Sequence, residues 1–402
     1  MKVSVITAYT PTPENRGGIS ALIYSLLAFR PQDVDVKIYT YNMNHIPKEE
    51  CEKIAKDLNA EIEPVSLPKW YNVISSIQVL VLLLSVLLKS PLITYVKPNK
   101  KIVSKIKNEN GDFVWVYPYF FYRYAEKLPQ KKFVVTGCDC ISNVISSRFA
   151  DVFYVSSFKR SLRLFFAQRN AFNVEENFKK ENIRVHYVGM QDYVFFTKLH
   201  SADNAFFLLH PHYALENKVI QFNSKKIKVL FAGAYNHYMI NETAEIVSEL
   251  VRQTDLQSLL EISFLGKDWE PVVEKLKKSG YECNHVCWVE NYARELVKYD
   301  VQVVPISNGG GTKGKVLDSI GNGLLTIGSY HALENICVRH MDSCIYYRYA
   351  YEVPGMLRSV ALNRRKYEKI AEKGRSQVRK FHDPVRISRR FFSVMRSEDV
   401  AD

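Results

Sequence analysis

The chain opens twice in the same way, and that repetition constrains its fold more than any other feature. Lys2 to Thr7 is a short apolar run, followed by the turn-forming stretch Pro11 to Gly18 and a helical pattern from Ile19 to Phe29. Far downstream, Ile227 to Ala232 is a second such run, followed by the loop Gly233 to Asn241 and a helical pattern through Leu250. Strand, polar or Gly-bearing loop, and helix is the opening unit of a doubly wound sheet. Further apolar runs follow each opening: Val36 to Thr40, Phe113 to Tyr117 and Phe133 to Thr136, then Leu260 to Leu265, Val301 to Ile306 and Leu324 to Gly328. Such apolar runs, separated by helical stretches, point to parallel sheets. Two α/β domains are predicted, joined in the polar stretch Glu216 to Lys226. The basic tail from Asn363 to Met395 reads as one or two helices, interrupted near Asp383-Pro384 because proline disfavours helix continuation.

Composition narrows the class of partner. With 402 residues, 47% of them hydrophobic and 24% charged, the chain has apolar material for two cores without disulfide staples. Its seven cysteines are scattered. Cys138-x-Cys140 and Cys283-x3-Cys287 are the close pairs, a spacing that argues against a disulfide framework or a tetrahedral zinc site. A reduced, cytoplasmic compartment is expected, and no secretory signal is visible at the start. The net charge of +13 implies anionic partners. That charge is spread along the chain and no nucleic-acid motif accompanies it, which disfavours a nucleic-acid module. Val73 to Leu88 is strongly apolar but is interrupted by Ser75, Ser76, Gln78 and Ser85, and falls short of the roughly 20 residues a span needs. With Lys89, Lys97, Lys100, Lys101, Lys105 and Lys107 behind it, the region from Trp70 to Lys107 has two readings. It either docks on an anionic bilayer or packs on the sheet with a solvated lysine face.

The segment that carries most chemistry is Val301 to Ser329. A strand ends at Pro305; Asn308-Gly309-Gly310-Gly311-Thr312-Lys313-Gly314-Lys315 follows, and then a short helix. Consecutive glycines let backbone amides approach a ligand closely, and the helix start adds N–H groups and a positive dipole end. Lys313 and Lys315 add mobile positive charge, so the expected ligand is a diphosphate. Gly309-x4-Gly314-Lys315 comes close to a P-loop, but Val316 stands where Ser or Thr would hold magnesium. Elsewhere, Asp139 in Thr136-Gly137-Cys138-Asp139 lies at the end of a predicted strand, where it serves either as a base or as a cap on a helix starting near Cys140. His210 and His212 flank Pro211 with no carboxylate nearby in sequence, so structural or donor-contact roles are expected rather than a metal pair. The aromatic run Trp115 to Tyr124 could line an acceptor groove, although half of it belongs to core strand.

These segments resemble the retaining GT-B glycosyltransferases of the group 1 glycosyl transferase type. The resemblance lies in Pro305 to Ser329, in Arg16-Gly17-Gly18, in Phe231 to Asn236 with Asn241, in Ile262 to Gly266, and in Leu87 to Lys107 with Ser90-Pro91 and Tyr95. It implies two Rossmann-like domains whose parallel sheets face each other across a cleft. Residues 1–216 would bind the acceptor, 217–380 the nucleotide-sugar donor, and 381–402 would form a helix packing back on the first domain. By the same resemblance, Gly17 and Gly18 lie near the donor diphosphate, and Gly310, Gly311, Thr312, Lys313 and Lys315 hold the phosphates. Asn236 borders the donor, and Asp318 stands where the family usually has a ribose-binding glutamate. Lys315 is the expected catalytic charge and Asp139 the candidate acceptor-side base, with no metal and no cofactor other than the donor substrate. The implied activity is transfer of a sugar from a nucleoside diphosphate to a glycan or lipid-linked acceptor. Retention of configuration, polysaccharide or glycoconjugate synthesis and a cytoplasmic position, peripheral on the inner membrane face through residues 70–107, complete the expectation. The chain departs from the family pattern at Asp318, at Gly310 (commonly another glutamate) and at Asn236 and His237 (commonly Arg and Lys). These departures keep open a nucleotide-sugar binding protein, an epimerase or a catalytically silent partner subunit.

Overall fold

The computed structural model describes residues 1–397 except 17–18, 112, 156–157 and 237. The chain forms two compact units, Met1–Tyr213 with Pro384–Asp402, and Ala214–Asp383. In the first, strands β1 (Lys2–Thr7), β2 (Asp35–Thr40), β3 (Glu61–Pro64), β4 (Phe113–Tyr117), β5 (Lys132–Gly137), β6 (Ile183–Tyr187) and β7 (Ala205–Phe207) form one sheet in the order β3-β2-β1-β4-β5-β6-β7. In the second, β8 (Ile227–Ala232), β9 (Leu260–Leu265), β10 (Glu282–Val286), β11 (Val301–Val304), β12 (Leu325–Gly328) and β13 (Ile345–Tyr346) run β10-β9-β8-β11-β12-β13. Every pairing in both sheets is parallel. Both units are therefore doubly wound, as the repeated opening predicts.

Two of the strands that the sequence conceals share a physical reason. β3 reads Glu-Ile-Glu-Pro and β10 reads Glu-Cys-Asn-His-Val; both are sheet edges, where one side meets solvent and no apolar run is required. β6 is interior but carries His186, which is buried beside the Thr136 hydroxyl at 3.2 Å and stacks on Phe206. Burial, with a smaller contribution from His210, lowers the His186 pKa to about 3, so this histidine packs as a neutral ring.

Local readings change in two places. The apolar stretch after Lys69 is two helices, Lys69–Ser76 and Gln78–Leu87, bent by 99° at Ile77, which has extended backbone. The aromatic run after β4 is mostly core: Trp115, Tyr117, Phe121, Tyr122 and Tyr124 are all buried, leaving Tyr119 and Phe120 half-buried. Trp115 donates its indole N–H to Thr136 at 2.8 Å, which satisfies the polar edge of a fully buried ring.

The tail divides at Pro384. Helix Arg364–Phe381 belongs to the second unit, and helix Pro384–Arg396 packs in the first. The latter buries Ile387, Phe391 and Phe392 against the β1–β4 region, with the Phe391 ring 4.6 Å from Trp115. The Ser388 hydroxyl donates to the Leu26 carbonyl at 2.6 Å. Phe391→Ala would open a cavity against Trp115, and such truncations cost about 3–5 kcal/mol. Urea denaturation should show the first unit losing stability by that amount, and a loss under about 1 kcal/mol would mean the helix is only loosely seated.

Candidate functional site

In the second unit, β8 connects onward to β9 on one side and β11 connects to β12 on the other. The loops leaving the C-terminal ends of these two adjacent strands therefore diverge, and in doubly wound sheets that divergence opens the ligand crevice. The Gly-rich loop lies after β11, and helix Gly314–Gly321 starts directly behind it. Gly309 and Gly311 take φ values of 117° and 66°, a region that glycine alone enters without strain. The first amides of the helix have no intrahelical acceptor, so the same point presents N–H groups and a positive dipole end.

Neighbouring loops hold this arrangement. Ser307 donates to the Tyr238 carbonyl through both its amide (2.9 Å) and its hydroxyl (3.1 Å), which joins the β11 loop to the β8 loop. Asn236, predicted at the donor, lies in that β8 loop, where its side-chain oxygen accepts from the Tyr238 amide at 3.1 Å. Ser329, at the end of β12, donates its hydroxyl to the Ile306 carbonyl and accepts from the Ala332 amide. Asn335 donates to Gly311 O at 3.2 Å.

Lys313 differs from the mobile charge expected of it. Its ammonium donates to the carbonyls of Gly310 (3.0 Å) and Gly311 (3.2 Å) and to Glu334 (2.6 Å), which uses all three of its N–H groups. The Lys313 and Glu334 side chains are 13% and 7% exposed, so the pair is an internal strap on the glycine loop. Lys315 is different: its side chain is exposed, and its ammonium lies 5.7 Å from the centre of the Tyr292 ring. Partial burial there lowers its pKa, and Asp318 works in the opposite direction. Asp318 is itself buried one turn along the helix, near the Tyr292 hydroxyl, which is sealed from solvent. Lys315, Asp318 and Gly310 to Thr312 thus gather at one helix start. Gly17 and Gly18 lie outside the described residues, as does His237.

The first unit has its own divergence between β1 and β4. There the Tyr117 hydroxyl donates to the Ile19 carbonyl at 2.5 Å, which anchors the start of helix Ser20–Ala28. Asp139 stands exposed just past β5. Amides at the start of helix Ile141–Val155 are met by two carboxylates from later helices. Asp192 accepts from the Cys140 amide at 3.0 Å and Glu175 from the Ser142 amide at 3.1 Å. His200 bridges Glu175 (3.0 Å) and Glu176 (2.6 Å). Asp192, Glu175 and His200 are buried. The helix dipole and the imidazolium together balance the buried acids. Beside them, an apolar groove of about 680 Å³ is lined by Met190, Val194, Phe195 and Leu199, with Asn143 and Lys198.

His210 and His212 turn their Nδ1 atoms to the carbonyls of Pro211 and Tyr213. Cys283 is buried on β10 while Cys287 is exposed beyond it. Among the described residues, one group has metal-ligand chemistry: Glu270, His285 and Cys287, whose donor atoms lie within 4.8 Å of one another. Glu334, Asn335, Ser329 and Tyr238, like Asp192, Glu175 and His200, had no local spacing to mark them; each acts on a loop far away in sequence.

No family model matches the sequence, and no curated protein matches it. Solved structures do. HepE from Anabaena, determined with UDP-glucose, superposes with a TM-score of 0.64 at 9% identity over 98% of this chain and 99% of its own. Sucrose-phosphate synthase from Thermosynechococcus elongatus gives 0.64 at 13% identity, covering 98% of each chain. A TarM variant from S. aureus, determined with UDP and two saccharide ligands, gives 0.65 at 10% identity over 98% of this chain and 100% of its own. The chain has the GT-B fold, two Rossmann-like parallel-sheet domains.

Two outcomes follow from the geometry. Lys313→Met would leave Glu334 buried without its counter-charge, a change that costs roughly 3–5 kcal/mol; denaturation of Lys313→Met beside Lys313→Met/Glu334→Gln should show the second change recovering part of the loss. His200 supplies the pH test. Burial lowers its pKa, but hydrogen bonds to Glu175 and Glu176 outweigh that and raise it overall. Its contribution is complete below its unfolded value of about 6.5 and is lost as pH rises through the raised folded value. Wild type minus His200→Gln stability should therefore shrink towards alkaline pH, and a difference that is flat with pH would show the ring to be neutral in the fold.

Proposed function

We propose that this protein is a glycosyltransferase that takes a sugar from a nucleoside-diphosphate donor. The observation that carries the reading is the Gly309–Gly311 loop and helix start at the β8/β11 divergence, with Lys315 beside them. Amides, the helix dipole and one lysine suit a leaving diphosphate, whose developing charge is the main barrier to glycosyl transfer. They supply that countercharge without a divalent ion, and transfer with retention is part of the proposal. Lys315 acts as the charge donor, and Gly17, Gly18, Asn236, Gly310, Gly311, Thr312 and Asp318 form the donor surroundings, with Lys313 holding the loop in shape. UDP is the first nucleotide to test, because HepE and TarM were each determined with it.

On the acceptor side, Asp139 is exposed at the strand end and is the candidate base. The apolar groove beside Met190 and Leu199 suits an acceptor with an apolar portion. A glycan or lipid-linked acceptor, used in polysaccharide or glycoconjugate synthesis at the cytoplasmic side of a membrane, is the proposed substrate class.

Thermal denaturation with UDP, GDP, ADP and ATP–magnesium tests the donor site. A ligand at about 100 times its dissociation constant stabilises by roughly 2.7 kcal/mol. One nucleoside diphosphate should raise the midpoint without metal, and Lys315→Ala should reduce that shift. Stabilisation by ATP–magnesium alone would replace this reading with a nucleotide-hydrolysing one. A nucleotide that binds without turnover on any acceptor would favour the silent-subunit reading, consistent with Gly310 and Asp318.

A further inference from the structure

Three helical stripes in the first unit leave apolar side chains in solvent. On helix Lys69–Ser76 and its cap they are Trp70, Val73 and Ile77, spaced i, i+3, i+7. On helix Gln78–Leu87 they are Val79, Leu83 and Leu87, spaced i, i+4, i+8 and exposed by 69%, 56% and 75%. On helix Phe158–Glu176, Leu162, Phe165 and Phe172 repeat at i, i+3, i+10, with Phe165 60% exposed.

The third stripe adjoins the second. Arg169 falls between Phe165 and Phe172 on the same helical face, and its guanidinium donates to the carbonyls of Val86 (2.8 Å) and Leu88 (2.6 Å). Asn170 and Asn173 donate to the carbonyls of Ser85 and Lys89. The end of one apolar helix is therefore capped by the other, so the two exposed stripes lie on helices in direct contact. Contiguous apolar patches of this kind on a protein surface mark an interaction site.

Charge identifies the occupant. No Asp or Glu occurs in residues 64–108, nor in residues 152–174. The side chains that border the patch, Lys69, Lys89 and Arg163, are basic and exposed. Apolar stripes on segments that carry cations and no anion of their own match an anionic bilayer surface, where apolar side chains enter the acyl boundary and cations meet headgroups. No single helix among the described residues is long and apolar enough to span a membrane, and the helices Lys69–Ser76 and Gln78–Leu87 meet at a 99° bend.

We propose that the face formed by helices Lys69–Ser76, Gln78–Leu87 and Phe158–Glu176 docks the first unit on an anionic phospholipid surface. This narrows the expected membrane segment at one end and extends it at another. Helix Lys100–Asn108, with its lysines, is a core helix that buries Ile102 and Ile106 and pairs Lys105 with Glu63, whereas helix Phe158–Glu176 lies outside the segment first expected. The inference does not rest on the donor site, and vesicle binding without nucleotide tests it separately.

Co-sedimentation of the full chain with vesicles of phosphatidylcholine alone, and of phosphatidylcholine with phosphatidylglycerol, is the measurement. Binding should require phosphatidylglycerol and weaken with salt. Leu83→Glu and Phe165→Glu should each reduce partitioning by about tenfold or more, with circular dichroism and midpoint unchanged because both side chains already face solvent. Lys100→Ala/Lys101→Ala should retain at least half the wild-type binding. Wild type that ignores both vesicles overturns the proposal. So does a lysine pair whose loss abolishes binding while Leu83→Glu does not. A wild-type dimer that Leu83→Glu converts to monomer, with no vesicle binding, would overturn it in favour of a second copy of the chain.

Discussion

The second unit depends on a constraint of topology. Two adjacent parallel strands, β8 and β11, send their connections in opposite directions, so no crossover covers the gap at their C-terminal ends. Side chains cannot fill that gap without blocking it, and the chain answers with glycines at positive φ and a helix that starts there. An exposed backbone of this kind needs external support, because glycine contributes no packing of its own. Tyr238, Glu334, Ser329 and Asn335 supply it from neighbouring loops, the first two through Ser307 and Lys313 of the loop itself.

This support separates two lysines that are two residues apart and look equivalent in sequence. Lys313 spends its charge inside the protein, on Glu334 and two carbonyls, while Lys315 keeps its ammonium towards the helix start beside Tyr292. Sequence reasoning assigns both to phosphate because it sees only residue type and distance along the chain. The distinction rests on Glu334, which is brought in by the turn after β12.

The same limit explains what was legible elsewhere. Strands with predominantly apolar runs, such as β1, β4, β8 and β9, and the break at Pro384 could be read directly, since burial and proline sterics act locally. Edge strands β3 and β10 could not, because solvent on one side removes the apolar signature. The start of helix Ile141–Val155 was open to capping by the adjacent Asp139. Amides there also donate to Asp192 and Glu175, which arrive from later helices and have no local spacing to mark them. The bend at Ile77 was invisible for a different reason: Ile is neither a helix breaker nor a turn former, yet its backbone there is extended.

The closing helix sets the order in which the protein can be completed. Helix Pro384–Arg396 supplies Phe391 and Phe392 to the core around Trp115, yet the whole of the second unit lies between them in the chain. During synthesis, the second unit can collapse as soon as its own residues emerge, whereas the earlier-made sheet waits with a face of Trp115 uncovered. Such an exposed aromatic surface is what chaperones and aggregating partners recognise. The first-translated domain is thus the last to become native, and its vulnerable interval is set by the time needed to translate the second.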